Sequence, residues 1–210
     1  MRIAVIGATG GIGTQVTRQA LAAGYEVVAP VRNPARIAVA DARLAVEQVN
    51  VFDTDQLATA IKGADAVVSS LGPRKLSDGG VLTEGVSALV PAMAAAGVRR
   101  LVIVSADGAF THPTDTALLR YVLKPLVGLV LGKSFADVRR MESKVRASEL
   151  DWTIVRPPRL TDAPYTGRYR TALDGSVRRG YQIARADVAH AILRAVDAPE
   201  LVGHVLGVAR

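Results

Sequence analysis

Short unbroken apolar runs alternate along this chain with longer stretches in which apolar residues recur every three or four positions. The runs predict buried strands at Ile3–Ile6, Tyr25–Val31, Leu44–Val51, Ala64–Ser70, Arg100–Val104 and Trp152–Val155. The helical spacing predicts helices from the turn after Ile6 to Gly24, over Thr54–Lys62, Val81–Ala96 (kinked at Pro91), Phe135–Ser148 and Ala186–Val196, with a short one after Arg36. Tyr169–Leu173 and Tyr181–Ala184 read as short strands on either side of Asp174-Gly175, and His204–Val208 as an edge strand. Strands that alternate with helices and carry no polar alternation require a parallel sheet covered on both faces. The expected fold is therefore α/β, a single doubly wound domain over residues 1–210 with helices on both faces and strand order 3-2-1-4-5-6.

The first run ends in Gly7-Ala8-Thr9-Gly10-Gly11-Ile12-Gly13 and passes directly into a helix. A glycine turn in that place is the opening of a Rossmann-like, dinucleotide-binding βαβ unit. Gly7 lets the chain reverse, Gly10 leaves no side chain in the way of a pyrophosphate, and Gly13 lets the helix lie close to the sheet. The helix N-terminus supplies unpaired N–H groups to the phosphates. After the second strand an NAD-preferring site would place an acid for the ribose 2′-hydroxyl; Arg32 stands there instead, with Arg36 one turn on. Two guanidinium groups suit a 2′-phosphate, so the expected cofactor is NADP(H).

Composition adds exclusions. The chain has 210 residues and no cysteine, which removes disulfides, thiolate metal sites and cysteine nucleophiles. The net charge is +7, with 10 basic and 8 acidic residues up to Ser105 and 16 and 11 after it. The basic residues are scattered and aromatics make up only 4%, so nucleic-acid binding is not expected; dispersed surface charge and an anionic ligand on the C-terminal half fit the balance equally well. No signal-like or membrane-spanning run is present, which makes the cytoplasm the expected location. His112, His190 and His204 lack metal-ligand spacing, so no metal is assigned, and Glu142 and Lys144 are expected on a solvated helix face. Residues 116–131 are leucine- and valine-rich, with Arg120, Lys124 and Gly128 every fourth position and Pro125 interrupting. They are expected to form an inserted amphipathic helical segment, serving as lid, oligomer contact or ordinary core.

The glycine spacing, Val31-Arg32, Leu71-Gly72-x-Arg74, Ser105 at a strand end, Pro157-Pro158, Thr166-Gly167-x-Tyr169 and Leu173-Asp174-Gly175 together resemble one family. It is the atypical short-chain dehydrogenase/reductases with an NAD(P)H-binding Rossmann domain, of the flavin reductase and biliverdin-IXβ reductase type. The resemblance runs nearly end to end, except over about residues 107 to 133. It implies that Gly7, Thr9, Gly10, Gly11 and Ile12 contact the pyrophosphate and that Arg32 and Arg36 hold the 2′-phosphate. Asn50, in place of the family's aspartate, and Val51 would border the adenine. Leu71, Gly72, Arg74 and Pro157 would flank the cofactor, and Ser105 would lie beside the nicotinamide. Arg159 stands where the family has a histidine and would pair with a carboxylate or phosphate of the acceptor. The family also suggests a monomer, with a dimer through 116–131 as the alternative.

The superfamily's usual carbonyl chemistry needs a Tyr-x-x-x-Lys, which does not occur here. Hydride transfer from NADPH to a flavin (FMN or FAD as substrate) or a similar conjugated acceptor does not need it, because such a ring system can take its proton from water. Ser105 would orient the nicotinamide or donate a hydrogen bond to the acceptor. A non-catalytic NADP-binding sensor similar to the NmrA-like regulators is the second expectation, and an epimerase holding NADP tightly is the third, disfavoured by the missing tyrosine.

Overall fold

The structure is a computed structural model that describes residues 1–73, 79–111 and 124–210, with the backbone alone described at 124–131. Its first half places β1 (Arg2–Ile6), α1 (Gly11–Ala22), β2 (Glu26–Val31), β3 (Leu44–Gln48), α2 (Thr54–Ile61), β4 (Ala66–Ser69), α3 (Val81–Ala96) and β5 (Arg100–Val104) in order. There follow α4 (Lys124–Arg146), β6 (Asp151–Arg156), β7 (Arg159–Thr161), β8 (Arg170–Leu173), β9 (Gln182–Ala184), α5 (Arg185–Val196) and β10 (His204–Ala209).

Eight strands form one sheet in the order β3-β2-β1-β4-β5-β6-β10-β8, parallel throughout except that β8 runs antiparallel to β10. Successive side chains of a strand point to opposite faces, and both faces here are covered. Ile3 and Val5 of β1 pack with Val16 of α1 and Val188 and Ile192 of α5. Ala4 and Ile6 belong to the other layer, with Leu57 of α2, Leu89 and Met93 of α3 and Met141 of α4. This double burial is why the strands lack a polar alternation. Pro91 lies inside α3, which continues unbroken across it, so the expected kink does not end the helix.

The expected order 3-2-1-4-5-6 is present and is extended by two strands. His204–Ala209 is not an edge strand: it inserts between β6 and β8. The short strands flanking Asp174-Gly175 do not pair with each other. β8 joins the main sheet, whereas β9 pairs in parallel with β7 in a separate two-stranded ribbon. Asp174 explains the difference locally. It sits in the left-handed region at φ 53° and its carboxylate accepts from Val205 N at 2.9 Å and pairs with His204 Nδ1 at 2.7 Å, fixing the start of β10 beside the end of β8. These bonds hold its carboxyl below the usual carboxylate range. A Cβ on Gly207 would lie 2.2 Å from the Gly175 carbonyl oxygen, so β10 passes this turn too closely for any side chain.

The helix expected over Phe135–Ser148 begins earlier, as part of the continuous α4. Pro125 is only its second residue and does not divide it. The expected insertion at 116–131 falls outside the described residues from 116 to 123, and its last eight residues are the first two turns of α4.

Candidate active site

A cleft of about 910 Å³ opens at the carboxyl ends of β1, β4 and β5. This is the switch point of the sheet, because the chain leaves β1 toward β2 on one side and later returns to β4 on the other. The glycine turn forms its floor. Gly7 has φ +83°, and a Cβ there would meet the Ser70 carbonyl oxygen at 2.8 Å. Gly10 N donates to Gly7 O at 2.8 Å, which closes the turn. At Gly13 a Cβ would fall 2.2 Å from Gly7 O and 2.7 Å from Ser70 Oγ, so the helix rests directly on the turn and the end of β4. The N-terminus of α1 has no side-chain cap and no acid in its first turn. Its amides are thus left for an external anion, and the bare glycine cradle fits a pyrophosphate.

At the β2 end of the cleft, Arg32 lies over the Phe52 ring, 5.9 Å from its centroid. Arg36 closes a short 3-10 turn that Asn33 caps by accepting from Ala35 N at 3.1 Å. Both arginines line the cleft where a 2′-phosphate would lie.

At the opposite end the decisive group is one that the sequence reading placed elsewhere. Glu142 is not on a solvated face: it is 2% exposed, whereas Lys144 is exposed as expected. Its carboxylate accepts from Arg156 Nε at 2.8 Å and Nη2 at 2.5 Å, and from Ser105 Oγ at 2.5 Å. Arg156, itself 7% exposed, stacks on the Phe110 ring 3.5 Å from its centroid. Ser105 N donates to Val155 O at 2.8 Å, so the residue is held at backbone and side chain. Because the hydroxyl proton is given to Glu142, Ser105 has lone pairs and no proton to offer the cleft. The sequence leads one to expect that Ser105 orients the nicotinamide or donates to the acceptor; with its proton directed to Glu142, the oxygen that faces the cleft is an acceptor.

A second buried acid, Asp137, also comes from α4. It accepts from Leu82 N at 2.9 Å, Thr83 N at 3.2 Å and Thr83 Oγ1 at 2.5 Å. It thereby caps α3 from a distant helix, since α3's own N-cap is Gly80, in the left-handed region with no side chain to offer.

Of the expected site residues, Gly7, Thr9, Gly10, Gly11, Ile12, Arg32, Arg36, Val51, Leu71, Gly72 and Ser105 meet in this one cleft. Asn50 is not in its wall; the side chain turns back to accept from Phe52 N at 3.3 Å, and Phe52 takes the place beside Val51. Pro157 is buried behind the wall, with its carbonyl accepting from Asp107 N at 3.0 Å. Arg159 is exposed on β7, and its neighbour Leu160 faces the cleft instead. Arg74 and His112 lie outside the described residues. His190 pairs with Tyr169 through Nδ1 at 2.7 Å, and among the described residues no group of three or more His, Asp or Glu could hold a metal. No described helix is long and apolar enough to cross a membrane. Sequence reasoning missed Asp137, Glu142 and Arg185. The last had a signal, a cation opening a helix where the dipole favours an acid.

The sequence profile of a family described as NAD(P)H-binding matches residues 7–199. The uncharacterized Bacillus subtilis protein YwnB is 27% identical over 212 residues, covering 95% of this chain and 94% of that protein. Among solved structures, a wide-type short-chain dehydrogenase/reductase from Veillonella parvula in complex with NADP superposes with a TM-score of 0.77 at 20% identity, covering 100% of this chain and 94% of that one. A Streptococcus pneumoniae protein provisionally described as an NADH-flavin reductase gives 0.79 at 21% identity, covering 100% and 99%.

Proposed function

The chain belongs to the NAD(P)H-binding family, and from that premise we propose that it is an NADPH-dependent reductase that passes hydride to a flavin or similar conjugated acceptor. NADPH when bound supplies the hydride. The glycine turn and the α1 N-terminus would hold its pyrophosphate, and Arg32 and Arg36 its 2′-phosphate. Ser105, clamped by Glu142, would accept from the carboxamide and fix the ring.

The observation that carries the reading is the commitment of the polar groups at the Ser105 end of the cleft. Ser105 gives its proton to Glu142, and Asp137 is consumed by the amides and hydroxyl that open α3. No tyrosine, lysine or histidine is among the described lining residues. Among the described lining residues an alkoxide product would thus find no tyrosine, lysine or histidine to protonate it, and Ser105 and Asp137 are already committed. A conjugated acceptor spreads the added charge and takes its proton from water, so it asks the protein only for alignment.

The test is NADPH oxidation by the purified protein with FMN, FAD, biliverdin and a quinone offered in turn, and NADH as control. Acceptor-dependent turnover with an NADPH preference that falls on Arg32→Ala is expected. Ser105→Ala should slow single-turnover hydride transfer by about tenfold, roughly the loss of one oriented hydrogen bond, while leaving NADPH affinity within about twofold. Tight NADPH binding without turnover on any acceptor would overturn the reductase reading in favour of a sensor.

A further inference from the structure

Arg185 opens α5, where helix electrostatics disfavour a cation. Its side chain also lies against the glycine turn: a Cβ on Gly11 would fall 2.6 Å from Arg185 Cδ and 2.8 Å from Nε. Gly11 is the first residue of α1 and Arg185 the first of α5, so a side chain rooted at one helix N-terminus reaches the other. Neither helix neutralises it there. α1 has no acid in its first turn. The acid in the first turn of α5, Asp187, is 1% exposed and turned to Thr166 N at 2.9 Å, Thr166 Oγ1 at 2.8 Å and Gly167 N at 2.9 Å. The carboxylate facing Arg185 is Asp162, just past β7, with Nη1–Oδ1 at 2.6 Å. That carboxylate is 89% exposed, and water screens such a pair until little of it remains.

The Arg185 guanidinium and the uncapped N-terminus of α1 meet on one wall of the cleft, and the anion answering the guanidinium is an exposed surface acid. We propose that Arg185 is the basic ligand of the dinucleotide's pyrophosphate and that Asp162 is its resting partner, given up when the cofactor binds. The inference rests on the reading that this cleft takes NADP(H). Arg32 and Arg36, at the β2 end, answer the 2′-phosphate, so they leave the charge of the pyrophosphate to the glycine-turn amides alone. Arg185 adds a charge-assisted bond beside those amides, in a place where the alkyl stem already packs on the turn. Because the pyrophosphate is common to both dinucleotides, Arg185 sets affinity without setting the choice between NADP and NAD.

The experiment is a binding titration, by calorimetry, of NADP⁺, NAD⁺ and 2′-AMP, the last of which lacks the pyrophosphate. Arg185→Gln is expected to weaken NADP⁺ and NAD⁺ alike by about tenfold and to leave 2′-AMP within about twofold. Asp162→Asn, at a site too exposed to affect folding, should tighten NADP⁺ by about two- to threefold by removing the competitor. Unchanged NADP⁺ affinity in Arg185→Gln would overturn the inference. So would an equal loss for 2′-AMP, or weakening of NADP⁺ by Asp162→Asn. No binding of either dinucleotide by the unaltered chain would instead sink the cofactor reading on which it stands.

Discussion

Replacing Glu142 with alanine removes the acceptor of three buried hydrogen bonds and strands the Arg156 guanidinium, which is 7% exposed. An arginine cannot escape by losing its proton, so the charge stays buried without its counter-ion. Breaking one half of a buried pair costs about 3–5 kcal/mol. For a chain of 210 residues each kcal/mol moves the thermal midpoint by about 2–4 °C, so Glu142→Ala should lower it by roughly 6–20 °C. The paired change Glu142→Leu with Arg156→Met removes both charges and leaves apolar groups of similar size. It should return the midpoint to within roughly 1 kcal/mol of the parent, since the pair's attraction largely offsets its desolvation. The recovered protein would still lack the clamp on Ser105, and hydride transfer should remain slow in it. Differential scanning calorimetry on the parent, single and double variants checks the stability series. A drop of less than 2 °C in Glu142→Ala, or a double variant no more stable than the single, would refute the argument that this charge pair is desolvated.

Gly13→Ala places a Cβ 2.2 Å from the Gly7 carbonyl, a backbone atom that cannot swing aside. It should cost about 1–3 kcal/mol of overpacking and open the turn, measured as a lower urea midpoint together with lost dinucleotide binding. Thr17 buries its hydroxyl in α1 with no hydrogen-bond partner. Thr17→Val should therefore raise the thermal midpoint, by about 2–4 °C for roughly 1 kcal/mol regained. Asp174 is ionised more readily in the folded chain than in the unfolded one, so its contribution is complete above the ordinary value of 3.8 and is lost as pH falls through the lowered folded value. Asp174→Asn, which tolerates the left-handed backbone, should flatten the fall in thermal midpoint as pH drops below the ordinary carboxylate value of 3.8.

The part of the molecule legible beforehand is the part specified by neighbours in sequence. Ile3–Ile6, the glycine turn and Arg32 could be read because each carries its structural reason within a few residues. The last strand could not be placed, since its composition suits an edge or an interior equally and its position depends on Asp174, some thirty residues upstream in the chain. Glu142 was misread for a related reason. It sits on a helix among Arg139, Arg140, Lys144 and Arg146, where a solvated face is the natural expectation. Only the fold brings Arg156 and Ser105 to it from two different strand ends. Asp137 likewise caps α3 through an amide 55 residues earlier in the chain, a relation without local signature.

The insertion of β10 between β6 and β8 sets an order of events during synthesis. β8 leaves the ribosome before the strand that will hold it, and must wait about thirty residues with nothing to pair against. Until His204–Ala209 emerges, the flank of β6 is an open edge facing the same way, ready to accept any stray strand. The first six strands can assemble as they appear, whereas the final two arrive as a single closing act. A nascent chain halted shortly before residue 204 would thus carry a finished cofactor turn and an unsealed sheet, and would be the form most in need of a chaperone.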